Sequence, residues 1–180
     1  MHSQDWYMTE YAGDVVEYLT NQHDELKAAM GRVLPASGRD RQRAFDAVRD
    51  LLARHEAAEE AVLRPLVRAV PGGEEEAAQR THEEDRATQM LSRLEQLDVA
   101  STPFSVLFRE LEEAVTSHAE KEQEVEFTLL RRSHDPETLR RARVAVEAVE
   151  AGESPAGTDH GGTFAELLDR ARRLVSHLTP

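Results

Sequence analysis

Phe45, Val48, Leu52, His55, Glu59, Val62 and Leu66 follow one another at intervals of three or four residues, the repeat of a single helix face. Five of the seven are apolar, so the stripe should be buried, yet a histidine and a glutamate interrupt it. The pattern occurs again in Phe104, Leu107, Leu111, Ala114, His118, Glu122, Val125 and Leu129. Setting His55 over His118 also pairs Glu59 with Glu122, Val62 with Val125, Leu66 with Leu129 and Arg68 with Arg131. The two segments read as copies of one element. Residues four apart project from one face a turn apart, so each HxxxE presents an imidazole beside a carboxylate to whatever the face packs against.

Breakers divide the first part of the chain into four long periodic segments, roughly Asp14 to Leu34, Asp40 to Val70, Glu74 to Leu97 and Pro103 to Arg132. Their connections are short, and strand-like alternation with hairpin signals is absent. An all-α, up-down-up-down four-helix bundle with additional C-terminal helices is therefore expected. Pro103 suits a first helical turn, and Pro65 should kink the second helix or begin its end. The run Glu74 to Glu76 suits a first turn through the helix dipole. The organisation expected is an N-terminal arm over 1–13, the bundle over 14–134, a further helix over 135–151, a linker over 152–162 and an amphipathic helix over 163–180. In that last helix Phe164, Leu167, Leu168, Ala171, Leu174, Val175 and Leu178 share a face that needs an apolar partner, either this bundle or another chain. Trp6, Tyr7 and Tyr11 make an N-terminal hydrophobic anchor, and Arg131, Arg132, Arg140, Arg141 and Arg143 a solvated basic face.

Composition narrows the chemistry. A net charge of -13 argues against nucleic acid and anionic membrane surfaces as partners. No run is long and apolar enough to span a bilayer, and the N-terminal residues lack a basic region followed by an apolar core, so a cytoplasmic location is expected. The absence of cysteine removes disulfides, thiolate metal sites and cysteine nucleophiles. Any metal must be held by nitrogen and oxygen.

The first segment adds His23, which breaks the stripe Val16, Leu19, Leu26, Met30 and Val33. The third adds His82, at the edge of the face carried by Ala87, Met90 and Leu94 and further from its centre than Glu83. A carboxylate or imidazolium left alone in a bundle core costs several kcal/mol. One such histidine is ordinarily a hydrogen-bonded structural residue, but ionisable groups converging at one depth from four helices point to metal ligation. Four imidazoles and two carboxylates exceed one tetrahedral zinc and suit two metals with Glu59 and Glu122 as bridges. Iron is the expected pair, with manganese or a mixed site as competitors. His2, His134, His160 and His177 lie off these faces and read as exposed.

The order His23, HEAAE at His55 to Glu59, His82, and HAEKE at His118 to Glu122, on four successive helices, resembles the hemerythrin-like HHE cation-binding domains over about Asp14 to Arg132. The resemblance implies a bundle enclosing a non-haem di-iron centre, with iron held by His23, His55, Glu59, His82, His118 and Glu122. The oxygen carriers of that family place two histidines a turn apart on the third helix and an aspartate five residues after the last histidine. This chain has Arg86 and Gln123 there, which leaves a position for water, for Glu56 or Glu83, or for an exogenous ligand, and counts against reversible oxygen carriage. The expected function is reaction with oxygen, peroxide or nitric oxide, in a redox or oxidative-stress role; catalase-like turnover is compatible with the resemblance but not demanded by the sequence. The alternative is an iron- or oxygen-responsive sensor without turnover, signalling to a protein partner or a second copy through the terminal helix.

Overall fold

The computed structural model describes residues 13–152, 163–166 and 169, and every element among them is helical. Helix α1 spans Val15–Met30, started by Asp14, whose carboxylate accepts from the Glu17 amide at 2.8 Å. Helix α2 spans Gly38–Ala58 and runs without a break through a π turn, Glu59–Leu63, into α3, Arg64–Arg68. Helix α4 spans Gly73–Leu94. Helix α5 spans Thr102–Lys121, capped by Ser101, and passes through a second π turn, Glu122–Glu126, into α6, Phe127–Ser133. Helix α7 spans Pro136–Gly152. Pro103 lies in the first turn of α5, where its missing N–H costs little, and Pro65 follows directly on the π turn as the second residue of α3. The chain turns into α4 at Gly72, whose φ of 81° excludes most side chains, and at Gly73, where a Cβ would lie 1.7 Å from the Val67 carbonyl oxygen.

Two apolar clusters fill the bundle, one built around Phe45, Phe104 and Phe108, the other around Leu19, Leu63, Phe127 and Leu139. Along α1 the chain leaves the second cluster at Leu19 and enters the first at Leu26; along α2 and α3 it leaves the first at Ala57 and is in the second by Leu63. Helix α4 passes from Ala77 in the second to Ala87 in the first, and α5 and α6 return from Val115 to Phe127. That alternation is the up-down-up-down arrangement. His23, His55 and Glu59, and His118 and Glu122, all fall at the crossing between the clusters. The polar residues thus form one layer between two apolar blocks.

Helix α7 packs on α1 and closes the second cluster with Leu139, Val146 and Val149. Phe164 is buried in the first cluster and its amide donates to Glu95 Oε1 at 2.5 Å, so the segment after the linker meets this chain's own bundle. Of the linker expected over 152–162, Gly152 ends α7 and residues 153–162 lie outside the described residues, as do the rest of the terminal apolar stripe and Trp6, Tyr7 and Tyr11. Within the basic face, Arg131 pairs with the buried Asp14 at 3.1 Å, and Arg143 reaches the Gly13 carbonyl and lies 5.3 Å over the Tyr18 ring. His134, expected to be exposed, is half-buried and bonded to the Leu66 carbonyl at 3.1 Å; His2, His160 and His177 are outside the described residues. No helix among the described residues is long and apolar enough to cross a membrane.

Candidate metal centre

Both π turns begin at the glutamate of an HxxxE pair. The amide of Arg64 bonds back to the Glu59 carbonyl and that of Phe127 to Glu122, five residues apart instead of four. Each turn therefore holds one extra residue, and the buried positions after it slip by one. Leu63 and Val67 are buried where α-helical spacing selects Val62 and Leu66; Glu126 and Leu130 are buried where it selects Val125 and Leu129, and Val125 is 45 % exposed. The slip also turns Arg64 and Phe127 inward.

His23 and His55 meet edge to face with their Nε2 atoms 3.2 Å apart. Glu122 Oε2 lies 3.3 Å from His23 Nε2, and Glu59 Oε1 lies 3.2 Å from His55 Nε2 and 3.9 Å from His23 Nε2. The four residues are buried, and one donor atom from each lies within 4.8 Å of all the others. The outer ring nitrogens are held by amides: His23 Nδ1 by Gln123 Oε1 at 3.1 Å and His55 Nδ1 by Gln22 Oε1 at 3.0 Å. Gln22 donates through Nε2 to Glu150 Oε1 of α7 at 2.5 Å, which fixes its amide with oxygen toward the ring. His55 must then donate from Nδ1, and its Nε2 lone pair points inward, the tautomer a metal ligand needs.

The centre fits a cation. Both oxygens of Glu59 and Oε2 of Glu122 are fully buried and make no hydrogen bond. Leaving them unsatisfied would cost several kcal/mol. Burial opposes charge on His23, but Glu122 and Glu59 outweigh it and raise its pKa to about 10. His55, buried and facing the charge on His23, is lowered to about 3. Burial pushes Glu59 up, but the neighbouring His23 imidazole and the Arg64 guanidinium hold it below the usual carboxylate range. Imidazole nitrogens and carboxylate oxygens alone suit a divalent metal of intermediate softness, iron or manganese among them.

On the third helix His82 is not brought to the centre: it is exposed and belongs to neither group of potential ligands found among the described residues. The inward face of α4 runs through Ala77, Arg80, Ala87, Leu91 and Leu94, which places Glu83 and Glu84 toward the centre instead. Glu84 groups with Glu59 and His118 as a second set of potential ligands. His118 is less buried; its Nδ1 meets Glu83 Oε2 at 3.0 Å, and its Nε2 lies 3.8 Å from Glu84 and 3.9 Å from Glu122. Burial would raise Glu83, but Lys121 and His118 hold it low.

Arg64 was not anticipated. Its side chain is 2 % exposed and its guanidinium contacts Glu59, Glu84, Glu122 and Glu126. Glu126 is raised above the ordinary carboxylate range, by burial first and then by Glu122, Glu59 and Glu84, against the pull of Arg64. A cavity of about 90 Å³ opens between α1, α2, α4 and α5, with His23, His55 and His118 on its polar wall and Leu26, Leu52 and Val115 on the other.

The family model of the hemerythrin HHE cation binding domain matches residues 14–130, the stretch that carries all four helices of the polar layer. Comparison with curated proteins and with solved structures returned no match.

Proposed function

This chain belongs to the hemerythrin HHE cation-binding family, and we propose that it is a non-haem iron protein that reacts with oxygen, peroxide or nitric oxide. The observation that carries the reading is the pair of inward Nε2 atoms, 3.2 Å apart, faced by buried oxygens of Glu59 and Glu122 without hydrogen bonds. Iron bound there supplies redox chemistry toward small oxidants. His23, His55, Glu59 and Glu122 are the residues to hold it. Gln22 and Gln123 orient the two rings, while Leu26, Leu52 and Val115 are the apolar part of an approach also lined by Asp24, Lys27 and Glu56. The cavity of about 90 Å³ is large enough for a diatomic or a peroxide.

The two-iron expectation meets a specific competitor here. The second set of potential ligands, Glu59, Glu84 and His118, shares two carboxylates with Arg64.

The test is anaerobic reconstitution with ferrous iron and metal counting, followed by absorption spectra after separate additions of oxygen, peroxide and nitric oxide. A new charge-transfer band with at least one of the three is expected, and oxygen evolution from peroxide would mark turnover. A folded protein that retains no iron or manganese rules the reading out.

A further inference from the structure

We propose that Arg64 is the second cation of the centre, its guanidinium standing where a second metal would bind, so that each chain holds one metal ion. This rests on the cation-binding reading of the same layer.

The carboxylates expected to bridge two metals are used in both directions, and Arg64 lies on one side. Glu59 turns Oε1 to His55, at 3.2 Å, and Oε2 to Arg64 Nη2, at 3.6 Å. Glu122 turns Oε2 to His23, at 3.3 Å, and Oε1 to Arg64 Nη1, at 2.9 Å. Glu84, which a second metal would need, is already bonded to Nη2, and Glu126 to Nη1. The guanidinium thus faces four carboxylates from three stretches of chain. It does so at 2 % exposure, where the cost of separating charges is high.

The internal repeat isolates the effect. Arg64 follows His55 by nine residues, and Phe127 follows His118 by nine. Both are turned inward by the π turn before them. Phe127 stacks on the His23 ring with centroids 5.7 Å apart and adds no charge. The imidazole side, between His23 and His55, has the apolar Phe127 ring behind His23 and the uncharged amides of Gln123 and Gln22 behind the two Nδ1 atoms. The carboxylate side carries a fixed positive charge from the chain itself. A divalent ion entering that side would lose two of its carboxylates to Arg64 and face a like charge across them.

The measurement is the number of ions per chain after anaerobic loading with ferrous iron and, separately, with manganous ion, together with the EPR spectrum of the manganese form. The wild-type chain should hold one ion and give the spectrum of an isolated ion. Arg64→Met, which keeps side-chain length and removes the charge, should hold two and show exchange coupling, whereas Arg64→Lys should hold one. Two ions in the wild-type chain overturn the inference and leave the iron reading standing; none overturns both. One ion in a folded Arg64→Met chain also overturns it. Should that variant fail to fold, the wild-type count and the Lys variant decide.

Discussion

At the residue scale, the centre separates side chains that sequence spacing alone treats as equals. His55 and His82 are both histidines of long amphipathic helices, but only His55 is buried with its Nε2 aimed at other donors. The reason lies in α4, whose buried face is set by Ala87, Leu91 and Leu94. Stepping back from these by threes and fours reaches Glu83, Glu84 and Arg80 and passes over His82. Taking Met90 in place of Leu91 rotates the face just enough to leave the choice open, and the HHE pattern then favours the histidine. His55→Ala and Glu59→Ala should each leave the protein with little metal after dialysis, while His82→Ala should retain its full content; metal analysis of the three, side by side, checks this. Full loss in His82→Ala would return that residue to the ligand set. Gln22→Leu leaves every ligand in place but releases the His55 ring. It should weaken metal binding by about 10- to 100-fold with a smaller effect on folding, a split that competition with a chelator of known affinity would register.

At the scale of elements, helix number, order and approximate ends were legible because Gly, Pro and short polar stretches punctuate strong three-to-four periodicity. The π turns were not, since a stripe extended at α-helical spacing passes smoothly through Val62 and Val125 and gives no sign of an extra residue. The internal match survived because both copies slip by the same amount. What was lost was Arg64, which α-helical spacing turns away from the core, and Glu126, which the stripe passes over in favour of Val125. The extra residue falls at the glutamate of both HxxxE pairs and sets the direction in which each carboxylate leaves its helix, which suits a role in aiming them. Deleting Ala61, inside the first π turn, should restore a regular helix with Leu63 and Val67 still inward. The shortened protein should melt no lower than the parent by circular dichroism yet retain less metal; unchanged metal content would detach the turn from the site. Helix α7 acts at a distance through Glu150, which accepts from Gln22 and, at 2.5 Å, from the Tyr18 hydroxyl. Burial first, and then Glu150, raise the Tyr18 pKa above its ordinary value. A group whose folded pKa is raised contributes its full stability below the unfolded pKa and loses it as pH climbs through the folded one. Tyr18→Phe should therefore cost about 1 kcal/mol, by the same amount from pH 6 to 9, with the gap to wild type closing only in stronger alkali. A cost that already varies between pH 6 and 9 in urea titrations would contradict this assignment.

For the whole molecule, the polar layer joins two apolar blocks that share the same four helical rods. Its charges are the main threat to the bundle's stability and, with a cation bound, a source of it, because a site assembled only in the folded state returns its binding free energy to folding. The antiparallel arrangement could be read from the breakers, and the layer from the two HxxxE pairs. Which block α7 closes, and that Phe164 is buried in the other, could not be read. An amphipathic face shows only that it needs a partner, not which one, and the partner lies more than 60 residues away along the chain. Metal at 100-fold excess over its dissociation constant adds about 2.7 kcal/mol. For a chain of this length that amounts to roughly 5–10 °C in Tm. Because α1, α2, α4 and α5 all cross the layer, the gain should appear as an upward shift of one cooperative transition. Calorimetry of the iron-loaded and chelator-treated protein checks the shift, and hydrogen exchange should show added protection on both sides of the layer. Protection confined to the Leu19–Phe127–Leu139 block would mean that the two blocks unfold separately and that the centre stabilises only one of them.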